Sequence, residues 1–485
     1  MDIEEAFIEA GSFGKFQIVV TLINYCSNIL FGSQMVIMVV VGATPNKDIP
    51  SEANLTTIVT EWNLYDEQWV IDLMGSLFFA GYIAGSFIFG QLPDLYGRKR
   101  IMIINFTLAA ICCFCSAFCQ NWHTFAATRF IGGLFAGGAV APGFVLMCEL
   151  IGKDLWARIG MLYQIFFSFG VMLLSLLGYL LQDWRKIIMV SCGMCVLLLP
   201  CFIFLIPESP RWLYSVGRID EAERIMIYIA KKNGKDDTVI HLSKEVDISH
   251  TDADFKKHSL VDLLKIRKLT IYLVVGCYLW FACSLSYYGL TLDAADLTPN
   301  LFVAIVLSGA VEIPGYILTI VMMDHRWFGR KGTTVLLLLA SSLTSICICF
   351  LGDTSSGAKT ALGLISKLTI AAGFSILYVY LSEIFPTQLR TIALIVSNVF
   401  ARIGGIVAPF VPLLSSTAYY LPYVVFGVGT LIAGAAGLAL PETYNRKLVV
   451  MSDFVEDKRP LVARSRVIDG DDESINADDK DRLLT

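Results

Sequence analysis

The sequence predicts an all-α membrane protein with twelve transmembrane helices in two six-helix, pseudo-symmetric halves. Hydrophobic residues make up 56% of its 485 residues and charged residues only 16%, whereas soluble chains carry about 25% charged residues. Twelve apolar stretches follow one another, and three pairs of short motifs recur at nearly constant spacing. This pattern excludes a soluble enzyme, and the net charge of −5 offers no basic surface for nucleic acid.

Twelve stretches are long enough to cross a bilayer, which takes roughly 20 apolar residues of helix. Nine of them are built on charge-free runs, and three tolerate one charge each within the apolar stretch: Glu312, Lys367 and Arg402. An even number of spans places both chain ends on one side of the membrane. The predicted spans are about 16–42, 73–93, 101–119, 124–150, 159–182, 187–206, 270–290, 299–323, 333–352, 360–383, 391–414 and 421–440.

Positive charge is distributed unequally between the two faces. Of the 37 Lys and Arg residues, 30 lie in the segments on the side of the termini and four lie on the opposite side. Because cytoplasmic loops carry the excess of Lys and Arg, we expect both termini in the cytoplasm. Met1–Ala10 is acidic, so we expect no cleaved signal peptide. We expect the plasma membrane, with an endosomal or vesicular membrane as the alternative.

Cysteine and histidine usage predicts neither disulfides nor a metal site. All 13 Cys lie in or beside apolar spans, where they are interpreted as small packing residues. The five His are unclustered, and we find no motif for a cofactor. Asn54-Leu55-Thr56 is a glycosylation sequon on the predicted outer face.

The sequence contains an internal repeat. Three pairs of motifs recur with offsets of 230 to 234 residues, which predicts two parallel six-helix halves with a substrate site between them. The halves are 1–206 and 269–440, joined by a cytoplasmic linker, 207–268, and followed by an acidic cytoplasmic tail, 441–485. The paired motifs are Asp94 to Lys99 with Asp324 to Lys331, Glu149 and Arg158 with Glu383 and Arg390, and Pro207-Glu208-Ser209 with Pro441-Glu442-Thr443.

The loop after the second span resembles the signature of the major facilitator superfamily. It reads Gly90-x-Leu92-x-Asp94-x-x-Gly97-Arg98-Lys99-Arg100. The resemblance implies ion pairs that form when the cytoplasmic gate closes and break when it opens. The alternative is a basic loop that only sets topology. The expected gating residues are Gly90, Asp94, Gly97, Arg98, Glu149, Arg158, Asp324, Gly329, Arg330, Glu383 and Arg390.

Further motifs resemble the organic cation, anion and zwitterion transporter family over nearly the whole chain to about residue 450. The resemblance implies a secondary active or facilitative transporter of small organic ions. Loop 43–72 is short and Cys-free, unlike the long Cys-rich loop of vertebrate members, so we expect a monomer. The motifs include Phe13-Gly14-Lys15-Phe16-Gln17, Glu61-Trp62-Asn63-Leu64, Trp280-Phe281-x-x-Ser284-x-x-Tyr287-Tyr288-Gly289-Leu290, Val311-Glu312-Ile313-Pro314 and Leu377-Tyr378-Val379-Tyr380.

Span 7 carries candidate substrate contacts at helical spacing. Trp280, Ser284, Tyr287 and Tyr288 stand at i, i+4, i+7 and i+8, which places them on one face. Aromatic faces can hold an organic ion by stacking or cation–π contact. The alternative is an aromatic belt at the membrane interface.

Ionisable side chains inside spans are the other candidates, because they are costly in the bilayer and therefore functional by default. Glu312 and Arg402 sit at mid-span, and Lys367 lies nearer the outer end. Asn398 shares a helix face with Arg402. The competing interpretation is a permanent Glu312–Arg402 ion pair that holds two helices together.

Arg402 also predicts charge selectivity. Arg402 lies in the motif Phe400-Ala401-Arg402-Ile403-Gly404-Gly405. In the family that this chain resembles, the residue at the position of Arg402 tends to be acidic in cation carriers and Arg in anion and zwitterion carriers. A guanidinium attracts carboxylates bidentately and repels ammonium groups. We therefore expect organic anions or zwitterions to be carried in preference to pure cations, by alternating access.

Three alternatives stay open at this point. A cation transporter is the nearest, and an ion channel or a non-transporting receptor or scaffold belongs to other classes. The expected partners are the substrate and the bilayer. The tail ends in Leu483-Leu484 within an acidic context that resembles a dileucine sorting signal for an adaptor, although it could serve only as a solubilising tail.

Overall fold

The computed structural model describes residues 1–235, 240–242, 260–292, 298, 300–351 and 356–446. The acidic tail beyond residue 446, with the predicted sorting signal at Leu483-Leu484, lies outside the described residues, as does most of the linker between residues 236 and 259.

Twelve apolar helices confirm the predicted fold class. Within the described residues, eleven helices are long and apolar enough to cross a bilayer, and a shorter apolar helix of 17 residues follows. We number these twelve helices α1 to α12 and refer to other helices by their residues. They are α1 Lys15–Val41, α2 Gln68–Phe89, α3 Arg98–Ser116, α4 Trp122–Glu149, α5 Trp156–Leu181, α6 Trp184–Phe204, α7 Arg267–Leu292, α8 Leu301–Met323, α9 Gly329–Cys349, α10 Ser356–Ile384, α11 Thr387–Val407 and α12 Leu421–Gly437.

Two helix ends differ most from the predicted spans. The predicted second span begins at residue 73, since Asp72 limits the charge-free run. The helix itself includes Asp72 and begins at Gln68. α11 ends at Val407 and passes into 3-10 turns that start near Pro409 and Pro412. Proline supplies no backbone N–H for a continuing α-helix, so the tighter turns replace it.

The two halves repeat one packing pattern. In the first half, α4 packs against α2 and α3, α1 against α5, and α3 against α6; in the second half, α10 packs against α8 and α9, α7 against α11, and α9 against α12. Glycines allow the closest approach: a Cβ at Gly85 on α2 would clash with the Leu134 carbonyl oxygen on α4. The halves meet along α5 with α8 and α2 with α11.

Short helices cover one end of the bundle. Ile3–Ala10 packs against Ile219–Lys232, a helix in the early part of the linker. Arg211, between them, pairs with Glu4 at 3.0 Å. We call this end, which carries Ile3–Ala10 and the described helices of the linker, the linker face, and we call the other end the opposite face.

The hydrogen bonds between described residues of the two halves lie at mid-depth or toward the opposite face. Their donors and acceptors are Ser76 to Ile406 O, Ser168 to Glu312, Ser175 to Phe302 O, Tyr288 to Met35 Sδ, Asn300 to Ser51, and Leu301 N to Glu52. Toward the linker face the halves touch through an apolar cluster of Met161, Met323, Ile376 and Ile320. The two halves are therefore fastened more firmly away from the linker.

Candidate substrate site and gating networks

A break in α8 places an acidic side chain at mid-depth. The helix consists of Leu301–Ala310 and Glu312–Met323, with Val311 between the segments. Pro314 explains the break, because its ring lacks an N–H and clashes with the preceding turn. Glu312 is thus the first residue of the second segment and is fully buried. The positive end of that segment's dipole favours a carboxylate there.

Three side chains surround the Glu312 carboxylate. Lys367 Nζ of α10 lies 3.1 Å from Oε1. Ser168 of α5 donates to Oε2 at 2.5 Å, and the Tyr316 hydroxyl donates to the same oxygen at 3.1 Å. The alternative ion pair between Glu312 and Arg402 is wrong, because α10 packs directly on this segment of α8 whereas Arg402 extends toward α2.

Lys367 is itself held by several acceptors. Its ammonium lies 3.4 Å from the centroid of the Tyr287 ring, a cation–π distance. It also donates to the Tyr287 carbonyl oxygen at 3.1 Å and to the Thr291 hydroxyl. Because a buried ion pair is stable only when its remaining donors and acceptors are satisfied, these contacts make the Glu312–Lys367 pair tenable inside the protein.

Aromatic rings extend from this pair along α7 and α10. Tyr287 stacks on Phe374 with centroids 5.8 Å apart, and Trp280 contacts Phe374 at 5.4 Å and Tyr378 at 4.3 Å. Tyr288 meets Tyr287 at 5.1 Å. All three predicted aromatic residues of α7 are at most 5% exposed, so they lie inside the protein rather than in a lipid-facing belt.

Ser284 lies apart from that aromatic cluster. It packs where α7 meets Gly404 of α11, whose missing side chain admits the contact. Its hydroxyl is buried and has no hydrogen-bond partner among the described residues. The sequence spacing grouped Ser284 with Trp280 on one helix face, but the structure uses it at a helix–helix contact.

Arg402 forms the second charged part of the site. It is 8% exposed, and its guanidinium lies 4.2 Å above the Tyr82 ring. The hydroxyl groups of Tyr288 and Tyr378 are near enough to interact with it electrostatically. Asn398, one turn earlier and half-buried, neighbours Tyr378. Within the described part of the chain, no carboxylate lies within 4 Å of Arg402, and its Nε is buried without a hydrogen-bond partner.

Five residues of this site were absent from the sequence prediction. Tyr316 follows Glu312 by one turn, and Phe374 and Tyr378 are one turn apart on α10, so helical spacing could have indicated all three. Ser168 and Tyr82 belong to the first half, and no sequence pattern places them against the second.

The gating residues form matching networks at the linker face of each half. Arg98 lies 2.5 Å from Glu149 and 3.2 Å from Asp94. Arg330 lies 3.2 Å from Glu383 and 3.3 Å from Asp324. The predicted partners of the two glutamates need correction: Arg158 is exposed, and Arg390 lies farther than 4 Å from Glu383. The arginine at the start of the neighbouring helix takes the carboxylate instead.

A second carboxylate completes each network. Glu208 accepts the backbone N–H of Lys99 at 3.0 Å, and Glu442 accepts those of Arg330 and Lys331 at 2.9 and 3.1 Å. These carboxylates cap the N-termini of α3 and α9. The preceding glycines have φ of +102° at Gly97 and +61° at Gly329, and a Cβ at either would lie 2.5 Å from the capping carboxylate. The sequence shows that the Pro-Glu motifs repeat, and the structure adds that their glutamates belong to the gating networks.

Replacing Arg98 by Gln should slow turnover at least tenfold and leave substrate affinity within about twofold. The Arg98–Glu149 pair is mostly buried, so its loss leaves a carboxylate without its cation. Asp94→Asn should have a smaller effect in the same direction, because the Asp94 side chain is 65% exposed. Initial uptake rates over a range of substrate concentrations, normalised to surface protein, give both quantities. A collapse in affinity at normal turnover would contradict the gating role.

Comparison with known proteins places the chain among transporters. Residues 16–453 match the family described as sugar (and other) transporter. A Xenopus tropicalis protein, solute carrier family 22 member 15-like, is 35% identical over 478 residues, covering 94% of this chain and 96% of that protein. Human organic cation/carnitine transporter 2 is 33% identical over 407 residues, covering 83% and 72%.

Solved structures share the fold. The inward open form of the xylose transporter XylE from E. coli superposes with a TM-score of 0.66 at 19% identity, covering 89% of this chain and 98% of that one. A double Trp mutant of XylE gives a TM-score of 0.67 at 20% identity, covering 90% and 98%. At such identities the likeness concerns the arrangement of the twelve helices.

Proposed function

This chain belongs to the sugar (and other) transporter family of the major facilitator superfamily, in its solute carrier family 22 branch of organic ion transporters, and we propose from that premise that it carries organic anions or zwitterions in preference to pure cations. The observation that carries the proposal is Arg402, a buried cation with no carboxylate within 4 Å among the described residues. Transport proceeds by alternating access of this site to the two sides of the membrane.

The charge balance of the site supports this preference. Lys367 neutralises Glu312, so Arg402 leaves the site with one net positive charge. A substrate carboxylate can pair bidentately with the guanidinium, while an ammonium group is repelled by it. The quaternary amine of a zwitterion can rest on the aromatic rings of Trp280 and Tyr378. The runner-up is a cation transporter, which the name of the human organic cation/carnitine transporter 2 favours.

Alternating access is supported by where the halves are joined. Hydrogen bonds join them at mid-depth and toward the opposite face, and apolar contacts meet toward the linker face. We propose that the described conformation is the one that opens toward the linker face and that this face is cytoplasmic, which the excess of Lys and Arg on that side supports. Asn54, exposed on the opposite face, is then an extracellular glycosylation site of a plasma-membrane monomer.

A latch at the opposite face should control this equilibrium. Glu52, only 3% exposed, accepts the N–H of Leu301 at 2.8 Å, and Asn300 donates to Ser51 at 2.8 Å. Glu52→Ala removes the first contact and should populate the outward-facing state, raising the apparent affinity for external substrate roughly threefold to tenfold. Glu52→Gln keeps an acceptor and should resemble the wild type. Unchanged external affinity in a well-folded Glu52→Ala protein would contradict the latch.

Counterflow distinguishes a carrier from a channel. Purified protein in liposomes should take up labelled substrate saturably, and unlabelled substrate trapped inside should accelerate the uptake, because the loaded site returns faster than the empty one. Liposomes without protein give the background. Flux that stays proportional to concentration and is indifferent to trapped substrate would indicate a channel instead.

A further inference from the structure

The first half contains a cleft that is separate from the site between the halves. All six helices α1 to α6 contribute to its lining, and its empty space, counted with its open mouth, is about 910 Å³. The space exists because α3 and α4 turn small residues toward it, among them Ala109, Ala110, Gly132 and Ala136. Neither the charged pair at Glu312 nor Arg402 lines this cleft.

The cleft is long and mostly apolar. On α4 its lining runs from Thr128 to Gly143, and the part from Arg129 to Gly143 is roughly 21 Å long at 1.5 Å per residue. Leu30, Phe31 and Phe106 form much of its wall. One leaflet of a bilayer core about 30 Å thick is spanned by a chain of about 15 Å, so the cleft is long enough to hold one acyl chain.

One end of the cleft is cationic. Arg129 is 6% exposed and lies 4.4 Å above the Phe78 ring. Both of its terminal nitrogens donate to the Gln34 carbonyl oxygen at 3.3 Å, while its Nε and the Gln34 side-chain nitrogen are buried without partners among the described residues. Across the part of the chain that the structure describes, no carboxylate approaches Arg129 within 4 Å. A cation at this depth calls for an anionic partner.

We propose that the first-half cleft binds a long-chain carboxylate, with its head group on Arg129 and its chain along α3 and α4. The guanidinium and the Gln34 side-chain nitrogen, which has no partner among the described residues, supply donors for two carboxylate oxygens. The apolar length selects a fatty acid over a small anion. The ligand enters from the bilayer beside α3. Only 22% of the most apolar stretch of that helix is buried inside the protein, and Ala110 on it is half-exposed.

Binding of radiolabelled oleate to the purified full-length chain in detergent tests the proposal. We expect one saturable oleate per chain, and oleyl alcohol, which lacks the charge, should compete at least tenfold more weakly. Arg129→Gln should weaken oleate binding at least tenfold, and Arg129→Lys should restore part of it. Ala110→Phe fills the cleft and should weaken binding to a similar degree. Arg402→Gln changes the site between the halves and should leave oleate binding unchanged.

Two results would overturn the proposal. One is the absence of saturable oleate binding to the wild type. The other is binding that survives Arg129→Gln and Ala110→Phe but is lost in Arg402→Gln, because oleate would then occupy the site between the halves. If Arg129→Gln does not fold, Ala110→Phe decides alone, with its folding established by size-exclusion chromatography and thermal unfolding. The assay uses no transported substrate, so it stands independently of the proposed charge preference.

Discussion

Replacing Arg402 by Asp should abolish organic anion uptake while the protein still reaches the membrane. A unit charge pair 4 Å apart contributes about 4 kcal/mol at an effective dielectric constant near 20. Before desolvation is subtracted, that corresponds to roughly a thousandfold in affinity. Reversing the charge turns this attraction into repulsion, and no other unpaired cation among the described site residues can replace it. Uptake of a radiolabelled aromatic carboxylate, normalised to surface-biotinylated protein, measures the effect.

Arg402→Lys is the matched control. It keeps the positive charge but not the planar fork that binds a carboxylate bidentately, so partial uptake should remain. Uptake equal to the wild type in Arg402→Asp would show that the substrate carboxylate binds elsewhere, with Lys367 as the next candidate.

Replacing Lys367 by Met should destabilise the protein strongly. Glu312 is fully buried, and the change leaves its carboxylate without the cation 3.1 Å away. Removing one partner of a buried ion pair costs about 3–5 kcal/mol, because the other charge stays desolvated. The midpoint of thermal unfolding in detergent should therefore fall by several degrees, and the folded yield should fall with it.

The double variant Glu312→Gln with Lys367→Met is the control for that experiment. It removes both charges, and the amide oxygen that replaces the carboxylate can still accept from Ser168 and Tyr316, so most of the lost stability should return. A double variant that is less stable than Lys367→Met alone would mean that the two residues do not stabilise the fold by pairing.

The twelve helices could be predicted from charge-free runs because a bilayer accepts only helices whose backbone is internally bonded. The pairing of residues inside the site could not be predicted in the same way. Sequence gives the depth of Glu312, Lys367 and Arg402 along their helices, but it does not say which helices are neighbours. α10 lies on α8 and α11 lies against α7 and α2, so Glu312 meets Lys367 rather than Arg402.

In the gating networks, too, the sequence identifies the residues but not which of them are paired. Duplicated motifs identified the participants, and the repeat in the structure extends to the capping carboxylates Glu208 and Glu442. The predicted pairings joined residues on either side of one loop, such as Glu149 and Arg158. The observed pair joins Glu149 to Arg98, because α3 runs alongside α4 and begins with that arginine.

An uptake panel with the wild type and Arg402→Ala tests the central claim most directly. Radiolabelled organic anions, carnitine-like zwitterions and a simple quaternary ammonium would be compared in the same cells at equal surface expression. We predict uptake of anions or zwitterions in preference to the quaternary ammonium, and loss of that uptake in Arg402→Ala. Uptake of the quaternary ammonium by the wild type, unchanged in Arg402→Ala and without any anion uptake, would contradict the account.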